Sequence, residues 1–224
     1  MLKTRITEQY GLKVPFINAG MAFIATAPLV RAVCKAGGMG MLGVAAMPPD
    51  VLQAAIRDIK AVDPACFGVD IIARFSGIEH IEVCVAEKAP VVAFFWDDPP
   101  DEWISRLQAA GSHIWFQVGS VDEARAALRR GAQGLVVQGS EAGGHNRAAA
   151  ATFSLLPAVI DSIASCPSSL RAALRMVGPL LLRWRWAPTR SRWGLASSRA
   201  SRPMPIHSTR TVSSLLAWGI RLAI

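Results

Sequence analysis

One stretch holds the residues best suited to chemistry: Gly134-Leu135-Val136-Val137-Gln138-Gly139-Ser140-Glu141-Ala142-Gly143-Gly144-His145. Its first half is a short apolar run rich in β-branched residues, which reads as a buried strand. Its second half is a loop with glycines, a carboxylate and a histidine. Glycine lets backbone approach a ligand closely and permits positive φ. An imidazole can hold or release a proton near neutral pH. A loop beyond the carboxyl end of a strand is where α/β enzymes place their chemistry. Taken alone, Gly-Gly-His is more often a turn with a surface histidine, and Glu141 is as well suited to capping the following turn.

Other candidates are weaker. His80 and His113 fall on helix or loop edges and are expected to be solvated, and His207 carries no motif. Trp96-Asp97-Asp98 has two adjacent carboxylates but no third ligand, so it reads as loop and no metal site is expected. Gly37-Gly38-Met39-Gly40 precedes a strand rather than opening a helix, which makes it a poor dinucleotide fingerprint. Met21, Met39 and Met41 are more often core filler than ligand contacts. Cys34, Cys66, Cys84 and Cys166 lack metal or disulfide spacing and read as buried free thiols in a reducing cytoplasm.

The elements that must carry the loop recur with a period. Apolar strands are predicted at Val14–Gly20, Met39–Gly43, Phe67–Ile72, Pro90–Phe95, Ile114–Val118 and in the Gly134 stretch. Helices are predicted between them. The first opens at Thr26-Ala27-Pro28 and ends at Gly37-Gly38. Later ones run Pro49–Ala61, Gly77–Lys88, Pro100–Ala110, then from a Ser120…Glu123 capping box to Gly131, and Phe153–Ala164. Such β–α units imply a parallel sheet with right-handed crossovers. A doubly wound sheet and a (β/α)8 barrel both fit, and a barrel needs about 250 residues and eight units.

Charge divides the chain. Its formal net charge is +8. Of 24 lysines and arginines, ten arginines lie from Cys166 onward, leaving 14 basic against 16 acidic residues before it. No acidic residue follows Asp161. The composition sets a boundary near 165, between a body (1–165) and a basic tail (166–224) with four tryptophans. No run of about 18 apolar residues appears, so no membrane span is expected. The start, Met1-Leu2-Lys3-Thr4-Arg5, carries no secretory pattern.

The motifs, taken together, resemble the nitronate monooxygenases, formerly 2-nitropropane dioxygenases. Gln138–His145 is similar to that family's signature, and Pro15-Phe16-Ile17-Asn18-Ala19-Gly20-Met21-Ala22 to its first-strand motif. Ala36–Gly43, Phe67-Gly68-Val69-Asp70 and Gln117-Val118-Gly119-Ser120 match in order, with Asp70 standing where the family often has asparagine. The resemblance covers about residues 5–165. It implies a TIM-barrel fold, incomplete here with six β–α units, and FMN lying across the strand ends. It places Ala19, Gly20, Met21 and Ala22 beside the flavin ring. Asp70, Gln117, Gln138, Gly143 and Gly144 would contact the flavin or its ribityl chain. His145 would face the substrate and take a proton from the carbon next to a nitro group. The implied reactants are a nitronate or nitroalkane and O2, without NAD(P)H, nucleic acid or membrane. A flavin-dependent enoyl-reductase relative is the alternative, and a non-catalytic remnant another.

The tail departs from that pattern. The family's phosphate-binding phrases, roughly PVIAAGGIADG and MGTRF, do not occur in 166–224. Read one base out of register, Cys166 through Gly178 can encode the first phrase. Met176-Val177, Trp186-Ala187 and Trp193-Gly194 are then forced to give glycines where the family has them. A reading-frame change near Ile163–Cys166 is therefore expected. The competing reading is a functional basic tail, arginine interleaved with tryptophan, that binds nucleic acid or an anionic membrane.

Overall fold

The structure is a computed structural model that describes residues 3–164, apart from 96 and 146, and the backbone of 173–177. Met1–Gly178 forms one compact unit. His207 and Cys166 lie outside the described residues, as does most of the stretch set apart by composition.

Six parallel strands form one sheet, β1 (Gly40–Gly43), β2 (Phe67–Ile72), β3 (Val91–Phe95), β4 (His113–Val118), β5 (Gly134–Gln138) and β6 (Ala173–Val177). Their spatial order is their chain order. This decides between the two architectures. A doubly wound sheet reverses its order at a switch point and so covers both faces with helices. Here the winding never reverses, so the crossover helices share one face. They are α2 (Ala27–Lys35), α3 (Pro49–Lys60), α4 (Ile78–Ala86), α5 (Asp101–Ala109), α6 (Val121–Arg129) and α7 (Thr152–Ala164). The fold is α/β of the TIM-barrel type, with fewer strands among the described residues than a closed barrel requires.

Side-chain alternation sorts the core into two layers. Leu42, Val69, Ile71, Val92, Phe94, Ile114, Phe116, Leu135 and Val137 pack with the helices in one cluster, together with Leu52, Ile56, Ile81, Leu107 and Val159. Met39, Met41, Val91, Ala93, Trp115 and Val136 form the second cluster on the inner face. Its helical contribution comes from α1 (Arg5–Tyr10), through Ile6 and Tyr10. This short helix was not legible in the sequence. Thr4 and Thr7 cap it reciprocally, a box without the usual glutamate. Tyr10 accepts a 3.0 Å bond from Trp115 Nε1 and lies 3.0 Å from His113 Nδ1. Burial pushes its phenol up to about 12.

Three expectations need correction. The predicted strand Val14–Gly20 is reduced to a single parallel bridge, Ile17 to Met39. Beyond it the Asn18 side chain replaces the ladder, since Oδ1 accepts from Met41 N and Nδ2 donates to Met41 O, both at 2.9 Å. His80 is not solvated but buried, 6% exposed. Its Nδ1 accepts from Gly77 N at 3.0 Å, so Nε2, 2.8 Å from Met47 O, carries the hydrogen. His113 is likewise half-buried against Tyr10 rather than solvated. The β6 strand pairs in register with β5, Val137 opposite Met176. It lies inside 166–224, beyond the six strands expected from the sequence.

Candidate active site

Three polar side chains share the inner face near the carboxyl ends of the strands. Val69 and Ile71 turn to the helices, so Asp70 between them turns inward. The same alternation turns Gln117 inward, between Phe116 and Val118, and Gln138, after Val137. These are three of the residues the sequence singled out. The Ala19–Ala22 segment reaches the same end of the sheet. A methyl on Gly20 would overlap the Asp70 carboxylate, and one on Gly43 would stand 2.6 Å from Met21 O. Gly20 therefore borders Asp70, and Met21 borders Gly43. Met21 is 40% exposed, so it is not core filler, whereas Met39 and Met41 are fully buried.

Gln117 has the most telling environment. Its Nε2 is buried and has no hydrogen-bond partner among the described residues. A buried donor left unmade costs about 1–3 kcal/mol. Protein interiors rarely keep such a donor unless a ligand or water completes it. The inner face thus presents a donor at Gln117, a carboxylate at Asp70 and half-buried glycine backbone at Gly20, a shelf suited to a planar group with carbonyl acceptors.

The signature loop rises from β5 beside this shelf. Ser140 N donates to Ala150 O at 2.9 Å and closes its base. Glu141 accepts from Thr152 N through both oxygens, at 2.8 and 3.0 Å, and so caps α7. Hydrogen bonds from its own backbone N–H, then from the Thr152 side chain, hold the Glu141 carboxyl below the usual carboxylate range. The capping reading of Glu141 is the one the geometry supports. Gln138 Nε2 donates to His145 O at 3.2 Å, so Gln138 holds the loop as well as lining the shelf. Gly144 sits at φ +78, where a side chain would be strained. Neither Gly143 nor Gly144 has an atom within 4 Å of the place a Cβ would take. His145 is exposed at the tip.

Sequence reasoning missed Asn18, whose amide fixes the Ala19–Ala22 segment, and Arg147, which meets Glu123 at 3.0 Å. It also missed Ser76, whose buried Oγ lacks a partner among the described residues. Ser76 lines a shallow cavity of about 380 Å³ with Arg74, Asp97 and Trp103. Asp97 pairs with Arg74 at 3.1 Å and Asp98 with Arg130 at 3.2 Å, so each carboxylate has its own cation. No group of three His, Cys, Asp or Glu that could hold a metal occurs among the described residues. No described helix is long and apolar enough to cross a membrane.

Comparisons with known proteins bear on the family and the fold. The chain is 38% identical over 164 residues to (3aS,4S,5R,7aS)-5-hydroxy-7a-methyl-1-oxo-octahydro-1H-indene-4-carboxyl-CoA dehydrogenase of Mycobacterium tuberculosis, over 73% of this chain and 46% of that one. It is 28% identical to a probable nitronate monooxygenase of Staphylococcus aureus, over 72% of this chain and 58% of the relative. The chain thus spans about half the length of these relatives. The solved structure of FabK from Thermotoga maritima superposes with a TM-score of 0.69 at 33% identity, covering 79% of this chain and 61% of that one. The sequence profile of the nitronate monooxygenases matches residues 3–76 and 72–168, and the chain belongs to that family.

Proposed function

We propose that the chain is the catalytic part of an FMN-dependent oxidoreductase that oxidises alkyl nitronates, or the nitroalkanes that give them, with O2. The observation that carries this reading is the buried Gln117 Nε2, without a partner among the described residues, on the same inner face as Asp70. A flavin ring offers carbonyl oxygens to such a donor. Gln117 and the backbone of Ala19–Ala22 would hold the ring, with Asp70, Gln138, Gly143 and Gly144 along the ring or ribityl chain. When bound, the flavin supplies electron uptake from the substrate and delivery to oxygen.

The chain's own residues do the rest. His145, exposed at the tip of a loop held by Gln138, accepts the proton from the carbon beside the nitro group. Gly143 and Gly144 leave room for substrate beneath it. Asn18 holds the ring wall in place through Met41. The buried free thiols Cys66 and Cys84, with the half-buried Cys34, favour a cytoplasmic setting.

A second reading has its own support. The 38% identical relative carries its substrate as a CoA thioester. Proton loss next to a thioester carbonyl asks the same of His145 as proton loss next to a nitro group. The test is oxygen uptake with propyl nitronate in the presence of FMN and no nicotinamide. Turnover supports the nitronate reading. Activity only with an acyl-CoA, or only with NAD(P)H and an enoyl thioester, rejects it, and no activity with any of these marks a non-catalytic remnant. His145→Ala should lower turnover of neutral nitroalkanes by about 10²–10⁴-fold, the usual contribution of a general base, and affect pre-ionised nitronates less.

A further inference from the structure

We propose that Glu123 is a positioning residue that ties the His145 loop to the strand end carrying Gln117, and so sets the base over the shelf. The functional half of this statement rests on the reading of His145 as the base.

Both carboxylate oxygens are committed, and to different segments. Oε2 accepts from the Gly119 backbone N–H at 2.7 Å. Oε1 meets Arg147 Nη2 at 3.0 Å. Gly119 lies two residues beyond Gln117, and Arg147 two beyond His145. One side chain therefore spans the donor of the shelf and the loop of the base.

The capping box expected at Ser120 does not explain this arrangement. Ser120 Oγ does accept from Glu123 N, at 3.1 Å. In a capping box the glutamate would return the bond to the Ser120 N–H. Here it reaches one residue further, to Gly119, and keeps an oxygen for Arg147. An ordinary cap has no use for that arginine.

A second contact joins the same two segments. A methyl on Gly119 would stand 3.0 Å from Ala148 N and 3.2 Å from Ala148 Cα. The returning limb of the loop thus lies directly on the glycine backbone, and Ala148 is 8% exposed. The outgoing limb is held by Ser140–Ala150 and Glu141–Thr152. Gly143, Gly144 and His145 remain as an exposed tip between two anchored limbs. The side chains of Glu123 and Arg147 are 34% and 45% exposed, so their attraction alone is weak. Its importance is that it acts at one end of the loop while the Gly119 bond acts at the end of β4.

The test uses the full chain and four variants, Glu123→Gln, Arg147→Met, the double variant and Glu123→Ala, with amide hydrogen exchange at Gly119 and residues 140–150. Glutamine keeps an acceptor for Gly119 but loses the charge that holds Arg147. Glu123→Gln and Arg147→Met should each speed exchange in 140–150 by about 2–5-fold, the range of an exposed pair. The double variant should be no faster than either, because both remove one interaction. Glu123→Ala should also speed exchange at Gly119. With substrate, Glu123→Gln should lower kcat for a neutral nitroalkane while sparing KM and turnover of the pre-ionised nitronate. Additive effects in the double variant, or unchanged exchange in 140–150, would overturn the proposal and leave Glu123 a helix cap. If the exchange pattern holds while His145→Ala keeps full nitroalkane turnover, the reading of the base fails and the tie between the segments stands.

Discussion

Replacing Gln117 by leucine should move stability and cofactor binding in opposite directions. The substitution keeps the approximate shape of the side chain and removes the buried Nε2, which has no partner among the described residues. Without flavin, that donor costs about 1–3 kcal/mol of folding free energy, and leucine abolishes the cost. An apolar side chain beside Trp115 and Val136 on the inner face adds contact rather than conflict. The ligand-free variant should therefore gain about 1 kcal/mol or more, seen as a higher urea midpoint at unchanged slope. FMN affinity should fall, because the bond from Gln117 to the ring is lost. A neutral hydrogen bond is worth about 0.5–1.5 kcal/mol net, so the dissociation constant should rise about 2–12-fold. Urea unfolding and fluorescence titration with FMN read the two quantities separately. A variant that is less stable without flavin by 1 kcal/mol or more would show that the amide already has a protein partner. Unchanged FMN affinity alongside it would remove Gln117 from the cofactor shelf.

Gly20→Ala should destabilise the chain by about 1–3 kcal/mol in urea and weaken flavin binding, because the added methyl overlaps the Asp70 carboxylate; unchanged values would separate Gly20 from Asp70. The cap by Glu141 should depend on pH. Its carboxyl lies below the ordinary range in the folded chain, so the stabilisation is present above the unfolded value and is lost as pH falls through the depressed one. Proteolysis at residues 139–151 should therefore rise on acidification below the ordinary carboxylate range, and Glu141→Gln should show a flatter profile; identical profiles refute the cap. Sequencing the coding DNA should show that a single-base correction near the codons for Ile163–Cys166 restores the AAGGIADG and GTRF phrases. The uncorrected chain should then bind FMN weakly, since those phrases supply the family's phosphate contacts; stop codons in the shifted frame, or a purified chain with stoichiometric FMN, would refute this.

The parallel sheet was legible because the strands are buried on both faces and read as apolar runs, with glycine and proline punctuating the helices between them. Asp70, Gln117 and Gln138 were legible as a group only through the resemblance of the surrounding motifs to the nitronate monooxygenases, and the strand alternation that turns all three to the inner face came from the fold. Winding direction was not legible, since nothing local in a β–α unit says on which side of its neighbour the next strand will lie. The first strand was overread for a specific reason. Val14–Gly20 has strand composition, but its ladder passes to the Asn18 amide after one bridge, and composition cannot distinguish a side-chain amide from a backbone one. His80 was misplaced because its two partners, Gly77 N and Met47 O, are backbone groups that leave no trace in the residue types around them. Glu123 looked like a complete local motif, and only the fold brings Arg147 to it.

The Asn18 amide has a consequence for how variation at this position should be read. It must offer a donor and an acceptor to Met41 at once. Aspartate lacks the donor at neutral pH, leucine lacks both, and glutamine places the same amide one methylene too far. In a saturation scan, position 18 should therefore be about as intolerant as a residue that touches substrate, although its bonds are to the backbone of its own chain. Intolerance of this kind responds to substitutions by shape and hydrogen-bond pattern and is indifferent to which substrate is offered. A residue in contact with the reacting molecule would instead change its ranking from one substrate to the next. Scanning with two substrates would separate the two kinds of constraint, and would sort the scaffold of the Ala19–Ala22 wall from the wall itself.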